Sequence, residues 1–208
     1  MANSPTAQSG TNIMEPVVSD RHYSATGVES WKLGFWTFLG SECLLFGSLI
    51  STYMVYKGNT IAGPLPAEIL NIPLTSVSTF VLLMSSLAMV LALDAVQRGA
   101  KTPALAWLGS VVVLGAVFLG FQVFEFTHFV HEGLTIQVST FGSSFFVLTG
   151  FHGAHVTVGV IWMSTLFVLV ARGKIPPRDA LKVEVAGLYW HFVDIVWIVI
   201  FTLIYLIQ

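Results

Sequence analysis

The chain has 208 residues, of which 55% are hydrophobic and only 10% are charged. Soluble domains carry about a quarter charged residues, so the composition excludes an ordinary soluble fold and points to an all-α membrane protein. A formal net charge of −2 excludes the basic footprint of a nucleic-acid-binding protein. The single cysteine, Cys43, excludes an intrachain disulfide, a cysteine-rich metal site and a Cys-x-x-Cys-His haem attachment.

Residues 1–31 are rich in Ser, Thr, Gly and Pro and lack a basic region followed by an apolar core. They read as a flexible polar tail rather than a signal peptide. Five apolar runs follow within a membrane domain spanning 32–208. They cover Leu33 to Tyr56, Ile72 to Val96, Ala104 to Phe126, Thr140 to Ala171 and Ala186 to Ile207. Each is continuous rather than alternating, which indicates a helix that satisfies its own backbone in lipid and not a barrel strand. The fourth run is long for one crossing and implies tilt. Gly63, Pro64, Pro66 and Pro73 punctuate the first connection. Gly99 and Pro103 mark the second, Gly133 the third, and Gly173, Pro176 and Pro177 the fourth.

Five spans place Arg21, Lys32, Arg98, Lys101, Arg172, Lys174, Arg178 and Lys182 on one side, and Lys57 alone on the other. The positive-inside rule then predicts five transmembrane helices with the N-terminus cytoplasmic and the C-terminus outside.

A charge at the bilayer centre costs about 2.5–3.5 kcal/mol on insertion scales, so each ionisable group within a span asks for a reason. Glu42 sits about nine residues into the first helix, on a face with Phe38, Phe46, Leu49 and Tyr53. It reads either as a proton-exchanging or lipid-facing carboxyl, or as a neutral acid bonded to a neighbouring helix. The third helix ends in Gln122, Glu125 and His128 at three-residue spacing, a polar stripe expected at the outer interface. The fourth carries His152 and His155 one turn apart. That pair reads as interhelical hydrogen bonding or, as a weaker signal, as metal ligation. The fifth carries Trp190, His191, Asp194 and Trp197 on one broad face, where the indoles and imidazole are the natural donors to Asp194. Asp94 is placed to reach water or Arg98. The pairs Ala116 with Gly120 and Gly150 with Ala154 mark close helix contacts, within the chain or with a partner. These residues leave three classes open: a structural subunit of a respiratory enzyme, a proton-coupled transporter and a di-haem membrane anchor.

Several segments resemble one family in order and spacing. Ser41-Glu42-Cys43-Leu44-Leu45-Phe46 is similar to the Ser-Glu-x-x-Phe-Phe region of subunit III of the haem–copper terminal oxidases. Gly142 to Val156 resembles its Gly-Ser-x-Phe-Phe-x-x-Thr-Gly-x-His-Gly-x-His signature, and Leu188 to Trp197 its Tyr-Trp-His-Phe-Val-Asp-x-Val-Trp ending. Glu125 stands where that family carries a third-helix Glu, and Ile72 to Val77 resembles its Pro-Leu-x-x-Ser segment.

The resemblance implies a non-catalytic subunit of a bacterial plasma-membrane oxidase that reduces oxygen to water with proton pumping. It implies no cofactor in this chain, since haem and copper are held by partner subunits, and it implies bound phospholipid. The implied partners are subunit I as the main contact, other subunits including II and a small subunit IV, and membrane lipids. By the same resemblance Glu42 faces subunit I, while His152, His155, His191 and Asp194 hold the bundle together. Many relatives have two further N-terminal helices, whose place a small subunit could fill. Glu rather than Asp after Ser41 favours cytochrome c over quinol as electron donor.

Overall fold

A computed structural model describes residues 30–57, 72–133 and 140–207. Almost all of the predicted tail and the Gly63-Pro64-x-Pro66 turn lie outside them. Among the described residues the regular structure is helical, with five helices long and apolar enough to span a membrane. These are α1 (Ser30–Tyr56), α2 (Ile72–Gln97), α3 (Lys101–His131), α4 (Thr140–Ala171) and α5 (Leu181–Phe201). A 3₁₀ turn (Pro177–Asp179) precedes α5, and a π-helical turn (Thr202–Leu206) continues it.

The apolar runs underestimate α3 at both ends. Its 31 residues make a rod of about 46 Å at 1.5 Å per residue, longer than the roughly 30 Å of hydrocarbon. Lys101 and Thr102 in its first turn, and Thr127, His128 and His131 at its other end, are polar and break the apolar run. Pro103 and Pro73 sit inside the first turns of α3 and α2, where a missing N–H costs nothing, rather than in the preceding loops. Ser30 and Trp31, assigned to the tail, form the first turn of α1.

The glycines read as turn markers do stop helices. Gly99, Gly133 and Gly173 have φ of 71°, 88° and 67°, the left-handed region that favours glycine. After α2, Gly99 N–H reaches Val96 O (3.0 Å) and Ala100 N–H reaches Ala95 O (2.9 Å). After α4, Gly173 and Lys174 repeat the pattern onto Val170 O (3.0 Å) and Leu169 O (2.9 Å). Both are Schellman stops.

Helix α2 lies along α3, α3 along α4, and α5 fills the groove between α2 and α4. Half of the apolar window of α5 is buried, against 11% for α1, so α5 is the central helix and α1 the peripheral one. The fully buried Trp190 of α5 explains why α3 and α4 carry glycine where they meet it. A Cβ on Gly115 would stand 2.8 Å from the indole, and one on Gly159 2.7 Å from it. The predicted small pairs are elsewhere: Ala116, Gly120 and Ala154 are exposed, and a Cβ on Gly120 or Gly150 would meet nothing within 4 Å.

Helix α1 touches the bundle through a narrow seam. Its buried residues are Leu39, Phe46 and Tyr53, seven apart, with Phe35, Glu42 and Leu49 half-buried between them. That is the spacing of a heptad a/d stripe. Phe38, expected on the Glu42 face, is exposed.

Candidate functional site

The polar residues within the spans fall into three groups, each tying helices together. The first joins α1, α4 and α5 at the middle of the seam. Glu42 Oε2 lies 3.1 Å from His155 Nε2. His155 Nδ1 lies 2.7 Å from Phe151 O, one turn back on α4. A carbonyl cannot donate, so Nδ1 must carry a hydrogen, and a neutral imidazole then has a bare Nε2. One proton therefore lies between Nε2 and the carboxyl. Whether it rests on the acid or on the ring, the pair is neutral overall, which avoids the cost of an isolated charge in lipid. Phe46 packs edge-on against the ring at 5.0 Å, and Tyr189 O–H of α5 donates to His155 O at 3.0 Å.

The second group docks α5 on α2. The indole N–H of Trp190 donates to Ser85 Oγ, and that of Trp197 to Thr79 Oγ1, both at 2.9 Å. Each hydroxyl spends its own hydrogen on its helix: Ser85 on Leu82 O (2.5 Å) and Thr79 on Thr75 O (2.7 Å). This turns the oxygen lone pairs outward to receive the indoles. His191 Nδ1 and Ser86 Oγ share a hydrogen bond of 2.6 Å. The indoles therefore serve α2, whereas the sequence suggested Asp194 as their acceptor. Asp194 is buried, both its oxygens lack a hydrogen-bond partner, and the Ser86 hydroxyl beside it is engaged by His191.

The third group lies toward the other end of the bundle. Glu125 Oε1 accepts from Thr75 Oγ1 of α2 at 2.6 Å and from Tyr205 O–H at 3.1 Å. The π-helical turn carries Tyr205 inward, and Lys57 at the end of α1 donates to the carbonyls of Leu203 and Ile207 that this turn leaves open. The predicted interfacial stripe is thus split. Glu125 is buried, Gln122 is buried with Nε2 donating to Thr149 O at 2.8 Å, and only His128 is exposed. Gly153 makes room for the Gln122 amide, which a Cβ there would meet at 2.8 Å.

His152 and His155 do not converge. His155 turns to α1, whereas His152 is fully buried, stacks on Trp197 at 4.8 Å and meets Phe118 edge-on at 6.0 Å. Neither of its nitrogens has a hydrogen-bond partner, so it joins α3, α4 and α5 by ring packing rather than by the expected bond. Among the described residues no three His, Cys, Asp or Glu side chains come together.

Thr75, Thr79, Ser85, Ser86 and Tyr205 were missed by the sequence reading. The available signal was the recurrence of Ser and Thr along one face of α2 at steps of three and four, opposite the aromatic donors of α5.

The sequence that builds this five-helix bundle matches a known group of proteins. The family model described as cytochrome c oxidase subunit III matches residues 11–208. The quinol oxidase subunit 3 of Bacillus subtilis (strain 168) is 42% identical over 84% of this chain and 85% of its own length. The cytochrome c oxidase subunit 3 of Bacillus sp. (strain PS3) is 41% identical over 92% of each. The cytochrome bo(3) ubiquinol oxidase subunit 3 of Pseudomonas aeruginosa is 41% identical over 83% of each. A family model that spans all five helices, with relatives of matching length, makes this multi-pass protein of the bacterial plasma membrane a member of the haem–copper oxidase subunit III family.

Proposed function

We propose that the chain acts as a non-catalytic subunit of an aerobic haem–copper oxidase that reduces oxygen to water and pumps protons. It packs on subunit I, contacts other subunits including II and a small subunit IV, binds phospholipid, and supports proton uptake and stability. Haem and copper belong to the partner subunits. The observation that carries this reading is the use made of the buried polar groups. Glu42, Glu125, His155, Trp190 and His191 each bond a different helix of the same bundle. His152 and His155, the best ligand pair in the sequence, face different neighbours.

The N-terminus is cytoplasmic and the C-terminus outside in this reading, which rests on the one-sided Lys and Arg residues. Cytochrome c is the favoured donor, on the Ser41-Glu42 motif. Quinol is the second reading, supported by quinol oxidase relatives at 42% identity.

Purification from native membranes in mild detergent tests the proposal. Mass spectrometry of the co-migrating chains should find a haem–copper core, and the pool should oxidise reduced cytochrome c rather than quinol. Quinol oxidation alone would reverse the donor. Purification as a lone polypeptide would remove the subunit assignment.

A further inference from the structure

We infer that the core between α3, α4 and α5 binds ordered water, held by Gln122, His152 and Asp194 around the indole of Trp197. Among the described residues six buried side-chain polar atoms lack a hydrogen-bond partner. Five of them belong to these three residues: Gln122 Oε1, both nitrogens of His152 and both oxygens of Asp194. Buried polar atoms of natural proteins are nearly always paired, so five orphans on three neighbouring helices ask for a ligand.

The three residues stand around one ring stack. His152 of α4 lies on the Trp197 ring of α5 and meets Phe118 of α3 edge-on. Gln122 is one turn beyond Phe118, and its amide fills the space left open by Gly153, the neighbour of His152. Asp194 is one turn before Trp197 on the same broad face of α5. The polar groups around the stack are already spent. Trp197 N–H goes to Thr79, Thr149 O takes the Gln122 N–H, and Thr149 O–H goes to Phe145 O. The Ser86 hydroxyl beside Asp194 is engaged by His191, and one hydroxyl cannot satisfy two carboxyl oxygens. The buried Leu148, Val156 and Val193 supply only apolar side chains to the same layer.

Chemistry selects the ligand. Gln122 Oε1 only accepts, while a neutral imidazole donates from one nitrogen and accepts at the other. A carboxyl accepts at both oxygens when ionised and donates from one when neutral. The set therefore needs a molecule that donates and accepts at once and is small enough for a packed core. A cation offers nothing to the imidazole N–H, and an anion offers nothing to Gln122 Oε1. Water does both, and it is held where two to four polar partners surround it. The inference goes beyond the subunit assignment and does not depend on it.

The test is a cryo-EM map of the intact complex in nanodiscs at a resolution that shows water, with thermal unfolding of the released subunit as a second reading. Density for water should lie within about 3.2 Å of His152 and of Gln122 Oε1 or Asp194. A direct hydrogen bond from His152 to Asp194 or to Gln122, or a layer without water, overturns the site. His152→Phe keeps the ring stack and removes both nitrogens. It should lower the unfolding midpoint by about 2–4 °C, because the water and its other partners lose a bond. In a dry core the same change only removes unpaired polar atoms, so an unchanged or raised midpoint counts against the site. His152→Phe combined with Asp194→Leu should shift the midpoint by clearly less than the two single shifts added together. Additive shifts would show that the two residues share no ligand. The map of the wild-type complex decides the question even where a variant does not fold. A chain that never joins an oxidase core sinks the subunit reading and not this one, because the unfolding series can be run on the chain alone.

Discussion

Glu42 and His155 show how an acid is kept in a membrane helix at low cost. Their shared proton makes the pair neutral, and its position is constrained by the bond from His155 Nδ1 to Phe151 O. Glu42→Gln should leave assembly intact, because the amide can donate to the bare Nε2. Glu42→Leu should lower the yield of assembled complex, because it strips a half-buried imidazole of its partner. Failure of the Gln variant to assemble would mean that a full negative charge is required. The indole of Trp190 gives a second test. Ser85→Ala leaves a buried N–H without an acceptor and should cost about 1 kcal/mol, between the average worth of an interhelical bond in a bilayer and the cost of an orphaned donor. Thermal unfolding of the purified complex measures it, and an unchanged midpoint would show that the indole finds another acceptor.

Helix contacts follow from where glycine is obligatory. Gly159→Ala pushes a methyl to within 2.7 Å of Trp190 and should destabilise by about 1–3 kcal/mol through overpacking. Gly120→Ala meets nothing within this chain and should leave the midpoint of the released subunit unchanged. Equal effects of the two would contradict the packing of the Trp190 indole between α3 and α4. The spans were legible in the sequence because about 20 apolar residues in a row have few other uses. The ends of α3 were not, because a helix continues past the hydrocarbon once polar residues can reach water. The α2–α5 interface was hidden for a different reason. Ser and Thr bond their own helix carbonyls, so they enter the membrane with little hydropathy penalty and leave no mark. Their partners on α5 were visible, but Asp194 offered itself as the nearer acceptor in sequence. Which of several small-residue pairs faces inward depends on helix rotation, and hydropathy does not report rotation in a chain whose lipid-facing and core-facing residues are equally apolar.

For the whole molecule, α1 is the element least bound by burial and most dependent on polar ties. Lys32 holds it to Glu184 at one end, Glu42 to His155 in the middle, and Lys57 to the C-terminal carbonyls at the other. Its remaining face is exposed, with Ser41, Ser48, Ser51 and Thr52 bonded to carbonyls of α1 itself. Orientation can be read by labelling a Cys43→Ser chain that carries one new cysteine. A membrane-impermeant maleimide should reach Lys174→Cys only from the cytoplasmic side and Glu132→Cys only from outside, and the reverse would invert the assignment.

The central proposal is that Glu42, Glu125, His155 and His191 tie helices together by hydrogen bonds while electron chemistry takes place in partner subunits. Its most direct measurement is the iron and copper content of this subunit after release from the complex in mild detergent, with circular dichroism showing the helices intact. Both metals should be far below one per chain, whereas one iron or copper per folded chain would contradict the account.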